Sequence, residues 1–397
     1  RVRQVHLPVW LGTAGAPRAR TFAVLYSLAA TGRVLLITLI PLQALALLGD
    51  AQAVSVLYFA VSAANLALSL SIPRLVRYLH RRRVFTLGGL LMVAAPLAMA
   101  LGTTPGLVAG MVLQVFGVAC IEITLSLYLM DHIRRQDMGR FEPTRLFYAA
   151  GVWAVGPWLG VYLKDQAGDW VPYAISSVAA LVTLCLFWVL RLQENSAVSP
   201  AKRPPPRLSK YLPRFFEQPR LRLAWLLAFG RSAWWAMFFV YAPIFAVESG
   251  LDQITAGAIV SIASGALFIV PLWGWLARRY GLRRLFFAAF AASGLVTVAI
   301  ALSSGVPWLA AAVLVAAAIT TSAVDGGGNV PFLRAVHPME RAEMTTVFTT
   351  YRDVSQLAPP GVFALLLKVF HLPAVFVAGG IGMLVVSYFA RYLPRRM

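Results

Sequence analysis

Twelve apolar runs dominate the chain, and they leave it few ways to fold. A helix that crosses a bilayer needs about 20 consecutive apolar residues, because the hydrocarbon slab is roughly 30 Å thick and each helical residue advances about 1.5 Å. Runs of that length recur at 22–48, 53–72, 84–102, 107–130, 144–163, 171–191, 222–247, 254–277, 283–302, 306–329, 343–368 and 372–392. With 59% hydrophobic and 13% charged residues, the chain is too apolar for a water-soluble globule or a soluble enzyme. The pattern predicts an all-α membrane protein with twelve transmembrane helices. Its first run does not read as a cleavable signal peptide, being too long, holding Arg33 near its middle and lacking a small-residue cleavage site. Because the chain begins with Arg1, residues preceding it are expected.

The net charge of +20 would point to nucleic acid in a soluble chain, but here the cations lie between apolar runs. Links alternate in character. Those around Asp50, Gly102, Asp165 to Asp169, Glu248 to Asp252, Ser303 and Lys368 are short and nearly free of arginine. The other set holds Arg74, Arg77 and Arg81 to Arg83 after run 2, and Arg134, Arg135, Arg140 and Arg145 after run 4. Arg278, Arg279, Arg283 and Arg284 follow run 8, and Arg334, Arg341 and Arg352 follow run 10. All but four of the 35 Lys+Arg fall on that one face, which the positive-inside rule makes cytoplasmic. A multi-pass protein of the cell inner (plasma) membrane with both termini cytoplasmic is expected. The positive balance serves orientation and attraction to anionic membrane lipid, with no nucleic-acid partner.

The longest polar stretch, rich in Pro, Ser and cations, divides six runs from six. It separates an N-terminal bundle (1–193) from a C-terminal bundle (222–397) through a basic cytoplasmic linker (194–221), in which a surface helix is expected around Lys210 to Phe216. The halves repeat. Pro73-Arg-Leu-Val-Arg77-Tyr-Leu-His80-Arg-Arg-Arg83 recurs as Gly274-Trp-Leu-Ala-Arg278-Arg-Tyr-Gly281-Leu-Arg-Arg284 at an offset of 201. Gly32-Arg33 and Gly230-Arg231 differ by 198, whereas Glu122 and Asp325, like Pro157 and Pro360, differ by 203. Four landmarks at offsets of about 200 indicate duplication.

On these residues the chain resembles the major facilitator superfamily over its whole length. The second copy of the loop motif is similar to that family's Gly-x-Leu-Ala-Asp-Arg-x-Gly-Arg-Arg signature, and the first copy follows it more loosely. The resemblance implies two pseudo-symmetric six-helix bundles with spans 1, 4, 7 and 10 lining a central cavity. Both copies place an arginine, Arg77 or Arg278, where the family carries the aspartate of its cytoplasmic gate, so the gate here must close by other contacts, unless these cations only complement a helix C-terminus. Arg145 and the Arg352-Asp353 pair, near the cytoplasmic ends of spans 5 and 11, are further gate candidates. Gly156-Pro157-Trp-Leu-Gly160 partly resembles the Gly-Pro-x-x-Gly-Gly motif of proton-linked exporters in this superfamily, with Val161 replacing its last glycine.

Four ionisable residues lie deep in apolar runs: Arg33, Glu122, Arg231 and Asp325, one on each of spans 1, 4, 7 and 10. An unpaired charge at mid-membrane costs roughly 2.5–3.5 kcal/mol on insertion scales, so each needs a partner. Depth and symmetry pair Arg33 with Glu122 and Arg231 with Asp325. They serve either as static ion pairs or as pairs that open during transport, with Glu122 and Asp325 carrying protons and Arg33 and Arg231 binding solute. Trp234 and Phe238, in the aromatic run of span 7, are candidates to line a pocket for a ring-bearing solute. No metal-ligand spacing, Ser/His constellation or nucleotide-binding loop is present, so neither a metal, a cofactor nor an enzymatic activity is expected.

The leading expectation is a monomeric secondary active transporter that moves a small organic solute by alternating access, driven by protons. Two guanidinium groups also suit an exchanger or importer of an organic anion bound by Arg33 and Arg231, an arrangement similar to the superfamily's organophosphate exchangers. In a different class stands a non-transporting membrane receptor or scaffold.

Overall fold

The computed structural model describes residues 19–132, 138–189, 208–337 and 341–394, and its regular elements are helices. In the first half these are α1 (Ala19–Leu36), α2 (Leu39–Leu48), α3 (Ala51–Ser69), α4 (Ile72–Met99), α5 (Thr104–His132), α6 (Met138–Ala167) and α7 (Val171–Val189). The linker contributes α8 (Leu208–Glu217). The second half contains α9 (Pro219–Glu248), α10 (Gln253–Gly265), α11 (Val270–Tyr280), α12 (Leu282–Leu302), α13 (Pro307–Asp325), α14 (Val330–Ala335), α15 (Arg341–Phe348), α16 (Thr350–Leu366) and α17 (Pro373–Ala390).

Among the described residues, ten helical segments are long and apolar enough to cross a membrane, where the sequence predicts twelve. The two not among them are the fifth and eleventh runs. The fifth is occupied by α6; the eleventh is divided at Thr349, and its longer piece α16 has 17 residues with Asp353 in its first turn and Pro359 and Pro360 inside. Two further spans are interrupted. Span 1 turns at Ile37 and Thr38 between α1 and α2. Span 10 breaks after Asp325, where Gly326 to Asn329 form a turn and Gly328 takes φ +50°, a left-handed conformation that glycine adopts without a Cβ penalty.

The described residues group into two compact units, one from those in 19–40 and 64–189, the other from those in 41–63 and 208–394. Segment 41–63 thus belongs with the second unit although it precedes the linker. There Ser55 Oγ lies 2.6 Å from the Tyr241 hydroxyl, and Gln52 Nε2 donates to the Ala364 carbonyl at 3.5 Å. Phe59 also packs where a side chain at Gly361 would sit.

Between membrane helices close packing replaces water exclusion as the source of cohesion, so small residues mark the contacts. In the first unit, a Cβ on Gly160 would overlap the Leu35 carbonyl oxygen, and one on Gly156 would meet Val34 at 2.8 Å. The Gly-Pro-x-x-Gly element of span 5 therefore serves to bring α6 against α1. Gly32 packs on Ser176 of α7, whose hydroxyl donates to the Gly32 carbonyl at 2.9 Å. Its counterpart in the second unit, Gly230 on α9, meets Val386 of α17. A serine on the last span of each unit ties it to the third: Ser177 donates to the Val93 carbonyl, and Ser387 to that of Phe287, both at 2.9 Å.

The repeat extends to backbone conformation. His80 takes φ +67°, ψ 154°, and Gly281, 201 positions later, takes φ +90°, ψ 141°. Only glycine enters this region without strain, so the first copy holds a histidine under strain where the second has the residue the geometry favours. The linker helix is present as α8, with its fully buried Phe215 in a cluster containing Leu221, Ala224, Phe332, Met344 and Tyr351. In the first unit a separate cluster holds Phe85, stacked on Phe187 at 3.8 Å, with Tyr128 edge-on to the latter.

Candidate functional site

Glycine and arginine are adjacent on spans 1 and 7 for a geometric reason: the glycine lets one side of the helix press against a neighbour while the arginine projects from the adjoining side. On span 1, Gly32 lies on α7, and the Arg33 guanidinium Nη1 reaches Glu122 Oε1 of α5 at 3.3 Å. On span 7, Gly230 lies on α17, and Arg231 Nε stands 3.5 Å from Asp325 Oδ1 at the end of α13. The structure therefore brings together the residues that depth and symmetry pair.

The two pairs differ in their surroundings. Arg33 and Glu122 side chains are 34% and 53% exposed, against 14% and 19% for Arg231 and Asp325. Beside Arg33 stands the Trp153 ring, 6.0 Å from Cζ, a distance at which cation–π attraction is weak. Arg33 Nε is buried without a hydrogen-bond acceptor. In the second unit the polar shell is fuller. Trp235 Nε1 donates to Asp325 Oδ2 at 3.1 Å, and Arg231 Nη2 donates to Asn329 Oδ1 at 3.2 Å. Each Asp325 oxygen thus faces a donor.

That enclosure depends on the break in span 10. A Cβ on Gly326 would overlap Trp273, and one on Gly327 would overlap the Phe286 ring, so the turn that ends α13 at Asp325 fits only because these residues have no side chains. Trp273 adds a hydrogen bond from Nε1 to Ser322 Oγ at 2.9 Å. On the far side of Arg231, the buried Tyr351 hydroxyl interacts with both Arg231 and Arg352, accepting from Arg352 Nε at 3.3 Å. A polar chain therefore runs from Asp325 through Arg231 and Tyr351 to Arg352.

The aromatic residues of span 7 are arranged differently from the expectation. Trp234 and Phe238 are buried at 2% and 0% exposure, stacked 5.1 Å apart, and the Trp234 indole donates to Thr297 Oγ1 at 2.9 Å. They form core against α12 and do not touch the Arg231–Asp325 pair. Trp235 does, although sequence reasoning passed over it. A signal existed: Arg231 and Trp235 are four residues apart and share a helix face, as Trp234 and Phe238 share another. Asn329 and Tyr351 carried no comparable signal, because a helix break places the first and a separate helix places the second.

Among the gate candidates, Arg278 lies beside Gly274, whose backbone meets Gly326 at the span 10 break. Arg352 and Asp353 are exposed, with Arg352 engaged by Tyr351. The side chains of Arg77 and Arg145 lie outside the described residues. No group of three or more His, Cys, Asp or Glu able to hold a metal occurs among the described residues.

Solved structures with the same arrangement of helices are those of small-molecule transporters. The nucleoside transporter NupG superposes with a TM-score of 0.75 at 13% identity, over 93% of this chain and 97% of that one. A POT family transporter in complex with 5-aminolevulinic acid gives 0.74 at 12% identity, over 93% and 94%. A peptide transporter POT mutant gives 0.72 at 12% identity, over 95% and 94%. At such identities the likeness is one of fold. None of the curated proteins matches the sequence. The Major Facilitator Superfamily, however, matches it over residues 22–358. That match, over most of the chain, settles its kinship: the chain belongs to the Major Facilitator Superfamily, and it is a membrane transporter rather than an enzyme.

Proposed function

We propose that the protein is a proton-coupled secondary transporter of a small organic solute, working by alternating access in the cell inner membrane with both termini cytoplasmic. In this reading Asp325 carries the proton and the Arg33–Glu122 pair receives the solute. The observation that carries it is the enclosure of Asp325, one oxygen on Arg231 and the other on the Trp235 indole. A carboxylate paired with a guanidinium stays ionised; one that loses its partner in a poorly solvated place takes a proton, and releases it when the partner returns. Opening and closing of that pair would link proton movement to the exposure of the solute site. Tyr351 and Arg352 connect Arg231 to the gate candidates, which supports a route by which the change reaches them.

The alternative, an organic anion bound by Arg33 and Arg231, is less favoured because each arginine already faces a carboxylate, whose charge opposes an anion without a compensating cation. Proteoliposomes with an imposed pH gradient test the proposal. Asp325→Asn is expected to abolish gradient-driven accumulation while retaining exchange of solute across the membrane. Accumulation that persists in this variant at the original rate would remove Asp325 from the coupling role. Absence of flux for any of a broad solute panel in the unmodified protein would favour a receptor or scaffold.

A further inference from the structure

The first pair is joined by one contact, Arg33 Nη1 to Glu122 Oε1, and both side chains are substantially open. A guanidinium has five N–H donors and a carboxylate about four acceptor positions, so a single contact engages little of the Arg33 capacity. Arg33 Nε is left without an acceptor. A buried donor of that kind calls for an explanation, and a ligand oxygen is one. The backbone that carries it is also held in place, since its neighbours Gly32, Val34 and Leu35 pack directly on Ser176, Gly156 and Gly160. A fixed charge is better suited to recognition than a mobile one, because less freedom is lost on binding.

We propose that Arg33, Glu122 and Trp153 form the recognition site for a small ring-bearing zwitterion of the α-amino-acid type. The proposal rests on the transporter reading above and goes further by naming the class of solute. Taken as a pair, Arg33 and Glu122 discriminate by charge. A monoanion drawn to Arg33 sets its charge against Glu122, and a monocation drawn to Glu122 meets Arg33. A zwitterion places an opposite charge against each. In an α-amino acid the ammonium and carboxylate are separated by a single carbon, a spacing comparable to the 3.3 Å between Arg33 Nη1 and Glu122 Oε1, so the four groups close into a ring of alternating charge. The Trp153 indole beside the guanidinium then offers an aromatic face for the solute's ring. The second pair offers neither the exposure nor the uncommitted donor.

The test uses the full chain in proteoliposomes with L-phenylalanine, L-tyrosine and L-tryptophan, each beside its N-acetyl form, which is an anion, and its methyl ester, which is a cation. Thermal shift reads binding and counterflow reads transport. At least one free amino acid is expected to act with an apparent affinity at least tenfold above both of its blocked forms. Glu122→Gln is expected to remove the advantage over the N-acetyl form, and Arg33→Lys to weaken the free amino acid at least tenfold. Because the blocked ligands probe the unmodified protein, the result does not depend on the variants folding. An N-acetyl form that binds as well as its parent, or three free amino acids without effect, overturns the proposal. Counterflow needs no proton gradient, so exchange of an amino acid without gradient-driven accumulation would retain this site and reject proton coupling. Gradient-driven accumulation of another solute while the amino acids fail would do the reverse.

Discussion

Arg33–Glu122 and Arg231–Asp325 occupy matching spans about 200 residues apart in a duplicated chain, yet one pair is open while the other is enclosed. Duplication supplied the same charges to both. What separated them is the environment at the carboxylate. Glu122 lies within the continuous helix α5, whereas Asp325 ends α13 at a glycine turn that lets neighbouring aromatic residues close in. The same sequence device therefore yields an open charge pair in one unit and an enclosed one in the other.

The largest expected difference between the two is in stability. Removing one partner of a well-enclosed pair strands the other, so Asp325→Ala and Arg231→Ala are each expected to destabilise the protein by about 3 kcal/mol. Glu122→Ala and Arg33→Ala, at open positions, are expected to cost about 1 kcal/mol or less. Thermal unfolding in detergent distinguishes these values, and equal losses at both sites would end the contrast. Next in size is the indole partner. Trp235→Phe deletes a hydrogen bond to a charged oxygen and is expected to cost about 2 kcal/mol. Trp153→Phe weakens a long cation–π contact, worth about 0.5 kcal/mol.

The loop motif sharpens the comparison in the opposite direction. Because His80 occupies a backbone conformation that suits glycine, His80→Gly is expected to stabilise the first unit by about 1 kcal/mol. Gly281→Ala is expected to destabilise the second by a similar amount. Smallest is a helix cap. Asp252 precedes α10 and accepts from the Thr255 backbone N–H at 3.3 Å and from its hydroxyl, and Asp50 precedes α3 and accepts from the Gln52 N–H at 3.2 Å. The Thr255 hydroxyl bond holds the Asp252 carboxyl below its ordinary range. A folded value lowered in this way gives a contribution that is full above the unfolded value of about 4 and lost as pH falls through the folded value. Asp252→Ala is expected to cost about 0.5–1 kcal/mol near pH 7, with the difference from the unmodified protein shrinking below about pH 4 in thermal unfolding curves.

The sequence by itself determined the architecture and the presence of the charges. Apolar runs of spanning length have few alternatives to crossing a bilayer as helices, since backbone groups in hydrocarbon must be satisfied within the segment. An ionisable residue inside such a run needs a partner, so depth within the runs and the symmetry of the halves, with the placement of spans 1, 4, 7 and 10 that the family resemblance implies, sufficed to pair Arg33 with Glu122 and Arg231 with Asp325. Tertiary structure decided the rest. Adjacent residues on a helix point about 100° apart, and only the packed neighbours determine that Trp235 turns to Asp325 while Trp234 enters the core. Likewise the placement of segment 41–63 with the second unit and the unequal exposure of the two pairs arise from contacts between segments far apart in the chain. Hydropathy records how much a segment favours the membrane, but it holds no record of which neighbour each side of the helix will meet.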